Sequence, residues 1–218
     1  MNRVKNFFLA VKHRNFLDSD LSIYNKFLHK KSVFVHIPKT AGRSIINSIY
    51  GHDLKNCGHR TYFFYKYLFT KKRLKNMYTF SFVRNPYSRL FSAYNFLKKG
   101  GENSHDLNAK RNYIDSFKDF NEFINFGLEN AVKNNVIHFV PQYNFITYKD
   151  EILIDYVGKF ESMENDLKVI SSKVDFESSF KFTKSKINTY NFTCKNCNII
   201  ESVYLRDFLF FNYERKNA

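Results

Sequence analysis

Residues 33–50 read VFVHIPKTAGRSIINSIY: an apolar run of strand length meets a Pro-Lys-Thr-Ala-Gly turn, and the turn opens onto a helical pattern. A strand that feeds a helix this way sets the turn at the helix N-terminus. Unpaired backbone N–H groups and the positive end of the macrodipole there favour an anion. Gly42 carries no side chain to hold the backbone away from such an anion, and Lys39 adds a mobile charge. The turn departs from the usual nucleotide-triphosphate loop, because no Gly-Lys-Ser/Thr follows a glycine at four-residue spacing and no hydroxyl directly follows the glycine after the lysine to hold magnesium. The stretch therefore predicts a phosphate cradle for a ligand other than ATP with magnesium.

A second corner of the same kind follows. Tyr78–Val83 (YTFSFV) is an apolar strand, then comes Arg84, then Asn85 and Pro86, a helix-capping residue and a first-turn proline. The pattern predicts strand 33–37 with helix 45–50, a helix from Pro86 to Gly100-Gly101, a polar loop over 101–112, and a helix over 117–130. It predicts a further strand over Ile152–Val157 and a helix over 162–172. Ile199, Ile200, Val203, Tyr204, Phe208 and Phe211 make an apolar helical stripe, read as core. Strands alternating with helices, with no internal repeat, predict an α/β fold with a central, mainly parallel sheet covered by helices. Ligands of such sheets bind beyond the carboxyl ends of the strands. Lys39 and Arg84 both lie there.

At 218 residues the chain is expected to form one domain, burying about 70% of its unfolded surface. Residues 1–31 are expected as a basic amphipathic extension packed on or near it. The net charge of +15 favours an anionic partner such as a nucleotide, an acidic glycan or a membrane surface. No nucleic-acid motif accompanies the charge, so a nucleic-acid partner is not expected. Cys57, Cys194 and Cys197 read as reduced thiols. The Cys194-x-x-Cys197 pair lacks the two further ligands a zinc site needs, so no metal is expected. No apolar run approaches the ~20 residues that span a bilayer, and no cleavable signal is recognised, which points to a cytoplasmic protein. The Phe and Leu residues mixed with Lys, Arg and His over 3–31 also allow a peripheral membrane contact.

HIPKTAG after one strand and FVRNPYSRLFSAY after the next resemble the carbohydrate sulfotransferases, in particular the heparan sulfate 2-O-sulfotransferase branch and its bacterial relatives. QYNFI, DYVGKFESMENDL and YLRDFLFFNY are similar to the same family's C-terminal half, so the resemblance covers roughly residues 32–214. It implies a P-loop-like, three-layer α/β/α domain. It also implies 3′-phosphoadenosine-5′-phosphosulfate (PAPS) as donor, its desulfated form PAP as product, a carbohydrate hydroxyl as acceptor, and no metal. Lys39, Thr40, Ala41, Gly42, Arg43 and Ser44 are similar to the family's 5′-phosphosulfate loop, with Lys39 also neutralising charge on the leaving phosphate. Arg84 and Ser92 match the 3′-phosphate pair, a charged fork and a hydroxyl. Arg43 stands where many relatives have Thr or Ser. Lys184 and Ser185, in Thr183-Lys184-Ser185, partly match an Asn-Lys-Ser segment near the donor.

A sugar hydroxyl becomes a nucleophile only as its proton is taken, and histidine, with an ordinary pKa near ~6.5, suits that work. In the family the base is a histidine between the two corners, and CGHRTYFFYKYL places His59 there, with His52 in reserve and His36 read as a loop brace. The leading reading is transfer of a sulfuryl group to a glycan, capsular polysaccharide or glycolipid that is acidic or lipid-linked. Two alternatives stand beside it. A P-loop-type kinase wants a magnesium-holding hydroxyl beside the loop lysine and an acidic residue after a later strand, whereas YTFSFV ends in Arg84. A non-catalytic basic module for anions or membranes needs only the charge.

Overall fold

Parallel strands covered on both faces are apolar along their whole length rather than alternating, and the two strands leading to the corners have this character. In a computed structural model, residues 3–19, 22, 24–51, 58–176 and 190–216 are described. In chain order the elements are α1 (Arg3–Arg14), α2 (Asn25–His29), β1 (Ser32–Phe34), α3 (Gly42–Tyr50), α4 (Tyr62–Leu74) and β2 (Tyr78–Val83). Then come α5 (Pro86–Lys98), α6 (Ser104–Tyr113), α7 (Phe120–Phe126), α8 (Leu128–Lys133) and α9 (Tyr143–Ile146). The chain continues through β3 (Thr147–Tyr148), β4 (Glu151–Ile152), β5 (Tyr156–Lys159), a 3-10 turn, α10 (Met163–Ser171), α11 (Cys194–Val203) and α12 (Leu205–Phe210). It divides into two compact units, one of residues 1–83 with 144–183 and the other of 84–143 with 184–218.

The first unit holds a three-stranded parallel sheet in the order β1-β2-β5. The register runs Ser32↔Tyr78 to Phe34↔Phe80, and Phe80↔Tyr156 to Val83↔Lys159. Every residue of β1 is buried, and all of β2 except Tyr78. The two buried serines are satisfied: Ser81 Oγ donates to the Val35 carbonyl at 2.7 Å, and Ser32 Oγ lies 2.8 Å from the Tyr50 hydroxyl. Tyr24, Phe27, Tyr50, Tyr65 and Phe69 pack ring against ring, Phe27 and Tyr50 with centroids 4.4 Å apart. Helix α1 rests on α4, where Asn6 Nδ2 donates to Thr61 Oγ1 at 3.0 Å and Phe7 meets Tyr67 edge-on.

The second unit is helical. Asn85 caps α5 by accepting from the Tyr87 amide at 3.1 Å, with Pro86 at the first helical position. Leu90, Tyr94 and Leu97 from α5 share a buried core with Phe120, Phe123, Phe139, Ile200 and Phe208. The C-terminal stripe is core: Ile200, Tyr204, Phe208 and Phe211 are buried, and Ile199 and Val203 pack against the same cluster. Thr193 and Asn196 form a capping box at the start of α11, and the Cys194-x-x-Cys197 pair lies on this first turn, with Cys197 buried.

Four expectations need correction. The helix expected over 117–130 is two, α7 and α8, which meet at Gly127. Residues 101–112 are no loop, for α6 runs through Ser104–Tyr113. It escapes a hydrophobic pattern because Asp106 is its one buried residue. Polar contacts hold it instead: the Asn103 side chain accepts from the Asp106 amide, and Asp106 Oδ1 meets His138 Nε2 at 2.9 Å. The expected strand 152–157 is two pieces. Ile152 pairs antiparallel with Thr147 in a short hairpin, and only Tyr156 onward joins the sheet. Helix α3 begins at Gly42, three residues before the apolar pattern, and the strand before it ends at Phe34 with a last ladder bond from the Val35 amide to the Phe80 carbonyl.

Candidate active site

At the first corner the chain leaves β1, turns through Pro38 and enters α3. Lys39 and Ala41 both have positive φ, 70° and 63°. Left-handed backbone costs a non-glycine residue about 1–2 kcal/mol. A left-handed residue followed by helical ones gathers successive N–H groups into a concavity suited to an anion, and Ala41 followed by Gly42 has this form. Ala41, the helix N-cap, brings no capping side chain to these amides. Thr40 is buried with its hydroxyl donating to the Ile37 carbonyl at 2.9 Å, so its side chain braces the turn. Lys39 and Ser44 are half-buried and Arg43 is exposed. The donor set, a bent run of amides with a lysine and a serine, fits a phosphate or sulfate ester.

Gly42 answers to a neighbour in the protein. A Cβ at this position would overlap the imidazole of His36. His36 is buried, stacks on Phe34 with centroids 5.7 Å apart, and lies 4.4 Å from the ring of His59. Its own carbonyl is 3.3 Å from His59 Nδ1. A carbonyl only accepts, so His59 Nδ1 carries the proton and Nε2 holds the lone pair in the neutral ring. His36 thus ties together the Gly42 turn and His59, and places the histidine favoured as base beside the cradle. His52 lies outside the described residues.

The second corner is built from side chains. Arg84 directly follows β2, and its Nε donates to Ser88 Oγ at 3.0 Å. Its backbone is clamped at both ends: the amide donates to Gln142 Oε1 at 2.9 Å, and its carbonyl accepts from Gln142 Nε2 at 2.8 Å. The amides of Gln142 and Tyr143 in turn donate to Asp207 at 2.8 and 2.9 Å. Fully buried Arg89 donates to the carbonyls of His138 and Val140. Burial raises the Asp207 carboxyl from its ordinary value and lowers the Arg89 guanidinium from its own. Ser92 is half-buried on α5, one turn beyond Ser88 on the same face. Lys184 and Ser185 lie outside the described residues.

Beside this corner is a cleft of about 610 Å3 lined by Asn85, Tyr87, Ser88, Phe91, Tyr190 and Phe192 among others. The Lys216 ammonium stands 5.2 Å from the ring centroids of Tyr87 and Phe192. Sequence reasoning missed Ser88, Gln142 and Asp207. Ser88 could have been found from its four-residue spacing to Arg84, whereas Gln142 and Asp207 act on backbone groups 58 and 65 residues away, which no local pattern signals.

No curated protein and no solved structure shows significant similarity to the chain. A profile of the sulfotransferase family matches residues 26–214, which takes in both corners, His59, Gln142 and Asp207. The chain is a member of the sulfotransferase family.

Proposed function

We propose that the chain is a PAPS-dependent carbohydrate O-sulfotransferase with a P-loop-like, three-layer architecture, and that His59 is its general base. The observation that carries this reading is the junction of His36, Gly42 and His59, where a histidine of defined tautomer stands beside an anion-fitting turn. PAPS supplies a sulfuryl group whose leaving group is a phosphate, so the transfer needs charge neutralisation on one side and proton removal on the other. The amides of Thr40 to Ser44 and the Lys39 ammonium receive the 5′-phosphosulfate, and Lys39 counters the charge that develops on its phosphate. His59 Nε2 takes the proton of the acceptor hydroxyl, while the Nδ1–H bond to the His36 carbonyl keeps the ring in that tautomer. Arg84 and Ser92 receive the 3′-phosphate, with Lys184 and Ser185 as further donors.

The positive charge suits an acidic or lipid-linked saccharide acceptor, and a cytoplasmic setting belongs to the same reading. Among the described residues no helix is long and apolar enough to cross a membrane. The test is transfer of labelled sulfate from PAPS to a panel of glycans. The wild-type chain should label at least one acidic glycan. His59→Ala should lower turnover by about 10²- to 10⁴-fold while donor affinity stays nearly intact. Full turnover in that variant would assign the base elsewhere, and no transfer to any glycan would remove the carbohydrate acceptor.

A further inference from the structure

Helix α1 has two different faces. On one, Asn6 and Ala10 are buried and Leu9 and His13 are half-buried, on the side docked against α4. On the other, Val4, Phe7, Phe8 and Val11 follow the i, i+3, i+4, i+7 spacing that brings side chains onto one stripe, with Phe7 at its margin, where its ring also meets Tyr67 of α4. These four are 62, 44, 67 and 36% exposed, and Phe16, just past the helix, is 64% exposed. An outward helix face is ordinarily polar. Here the outward stripe is apolar, and the helix contains Arg3, Lys5, Lys12 and Arg14 with no acidic residue.

The cations are placed along both edges of the stripe. Lys5 and Lys12, seven residues apart, fall on one edge, and Arg3 and Arg14 on the other. Arg3 is steadied 4.3 Å above the Phe63 ring and 4.8 Å from the Tyr148 ring, and Arg14 donates to the Tyr67 carbonyl. Helix α4, which carries α1, ends in Lys71, Lys72 and Arg73. The nearby carboxylate of Asp18 is paired with Arg73 at 3.0 Å. The α1 surface thus combines protruding Phe and Val side chains with positive charge of a single sign.

We propose that this stripe docks the protein on an anionic lipid surface, with α1 lying flat and Val4, Phe8 and Val11 seated at the boundary of headgroups and acyl chains. Charge chooses this occupant over a second copy of the chain. Two copies paired along the stripe would bring cationic edge against cationic edge, whereas an anionic bilayer neutralises both edges at once. The inference is independent of the proposed transfer reaction, since none of its residues belongs to either corner.

The test is co-sedimentation of the full chain with phosphatidylcholine vesicles, with and without phosphatidylglycerol. The wild-type chain should pellet with the anionic vesicles, less as salt is raised, and little with neutral ones. Phe8→Glu should lower the partition coefficient by on the order of tenfold, with unchanged circular dichroism and melting temperature because Phe8 is exposed. Val4→Asp, at a second exposed position of the stripe, keeps the test valid if Phe8→Glu misfolds. No pelleting with anionic vesicles overturns the proposal. So does equal pelleting of the wild type and folded stripe variants, since net charge alone would then explain binding. A lipid-free dimer in sedimentation velocity that Phe8→Glu abolishes would give the stripe to a second copy instead.

Discussion

At the first corner the backbone passes through two left-handed residues, Lys39 and Ala41, and enters α3 without a capping side chain. At the second, β2 runs straight into Arg84, Asn85 caps α5, and Gln142 grips the Arg84 backbone on both sides. The first corner offers bent backbone amides, and strain in backbone tends to gather where a ligand is held. The second offers a guanidinium and hydroxyls on a backbone fixed from elsewhere in its unit. Two corners built on the same strand-to-helix connection can therefore depend on different things. One depends on the absence of a side chain at Gly42, the other on buried polar partners.

The largest effect is expected at Asp207, which holds the second corner from below. Replacing it with Ala removes the acceptor of two backbone amides and leaves Arg89 buried in a less compensated setting, so Asp207→Ala should destabilise the fold by about 3–5 kcal/mol, read by chemical denaturation. A loss below about 1 kcal/mol would mean that the second corner does not rest on this polar network. At the first corner Gly42→Ala forces a methyl group into the His36 ring. It should cost about 1–3 kcal/mol of stability, and it should displace His59, lowering turnover in the transfer assay. Wild-type stability and turnover in that variant would contradict the tie through His36.

Alkali gives a smaller effect that weighs on the second unit. Burial, followed by the hydrogen bond to Glu201, raises the Tyr87 hydroxyl, and burial raises that of Tyr204, which donates to the Phe139 carbonyl. Unfolded tyrosines ionise near pH ~10. Above that pH the unfolded chain releases protons that the folded chain retains, so stability falls as pH rises. Tyrosinate absorbance should include a fraction that appears only together with loss of the fold. A titration in which every tyrosine ionises at its ordinary value with the fold intact would count against the burial of these two hydroxyls.

Much of the sheet side was legible from sequence because its signals are local. Strand β2 has the bounds that YTFSFV sets, and Asn85-Pro86 marks the start of α5. The first corner was legible as strand, turn and helix, though the reason for Gly42 was not. A glycine's neighbour in space, here His36 from the preceding strand end, does not show in the motif. Helix α6 was missed because it buries almost nothing apolar and is held by Asn103, Asp106 and His138. The single strand expected over 152–157 failed because a hairpin and a parallel strand share one apolar run. The roles of Gln142 and Asp207 come from long-range side-chain to backbone bonds, which carry no periodicity.

The proposed donor is a nucleotide that carries both 5′- and 3′-phosphates and binds this sulfotransferase-family chain without magnesium. The most direct measurement is the melting temperature with PAP in the absence of magnesium, for the wild type and for Arg84→Ala. A ligand that binds only the folded chain raises its melting temperature by mass action. PAP should therefore stabilise the wild type, and Arg84→Ala should weaken that binding by about 1.5–3 kcal/mol, the scale of a charged hydrogen bond. No shift with PAP, beside a magnesium-dependent shift with ATP, would assign the two corners to a different nucleotide.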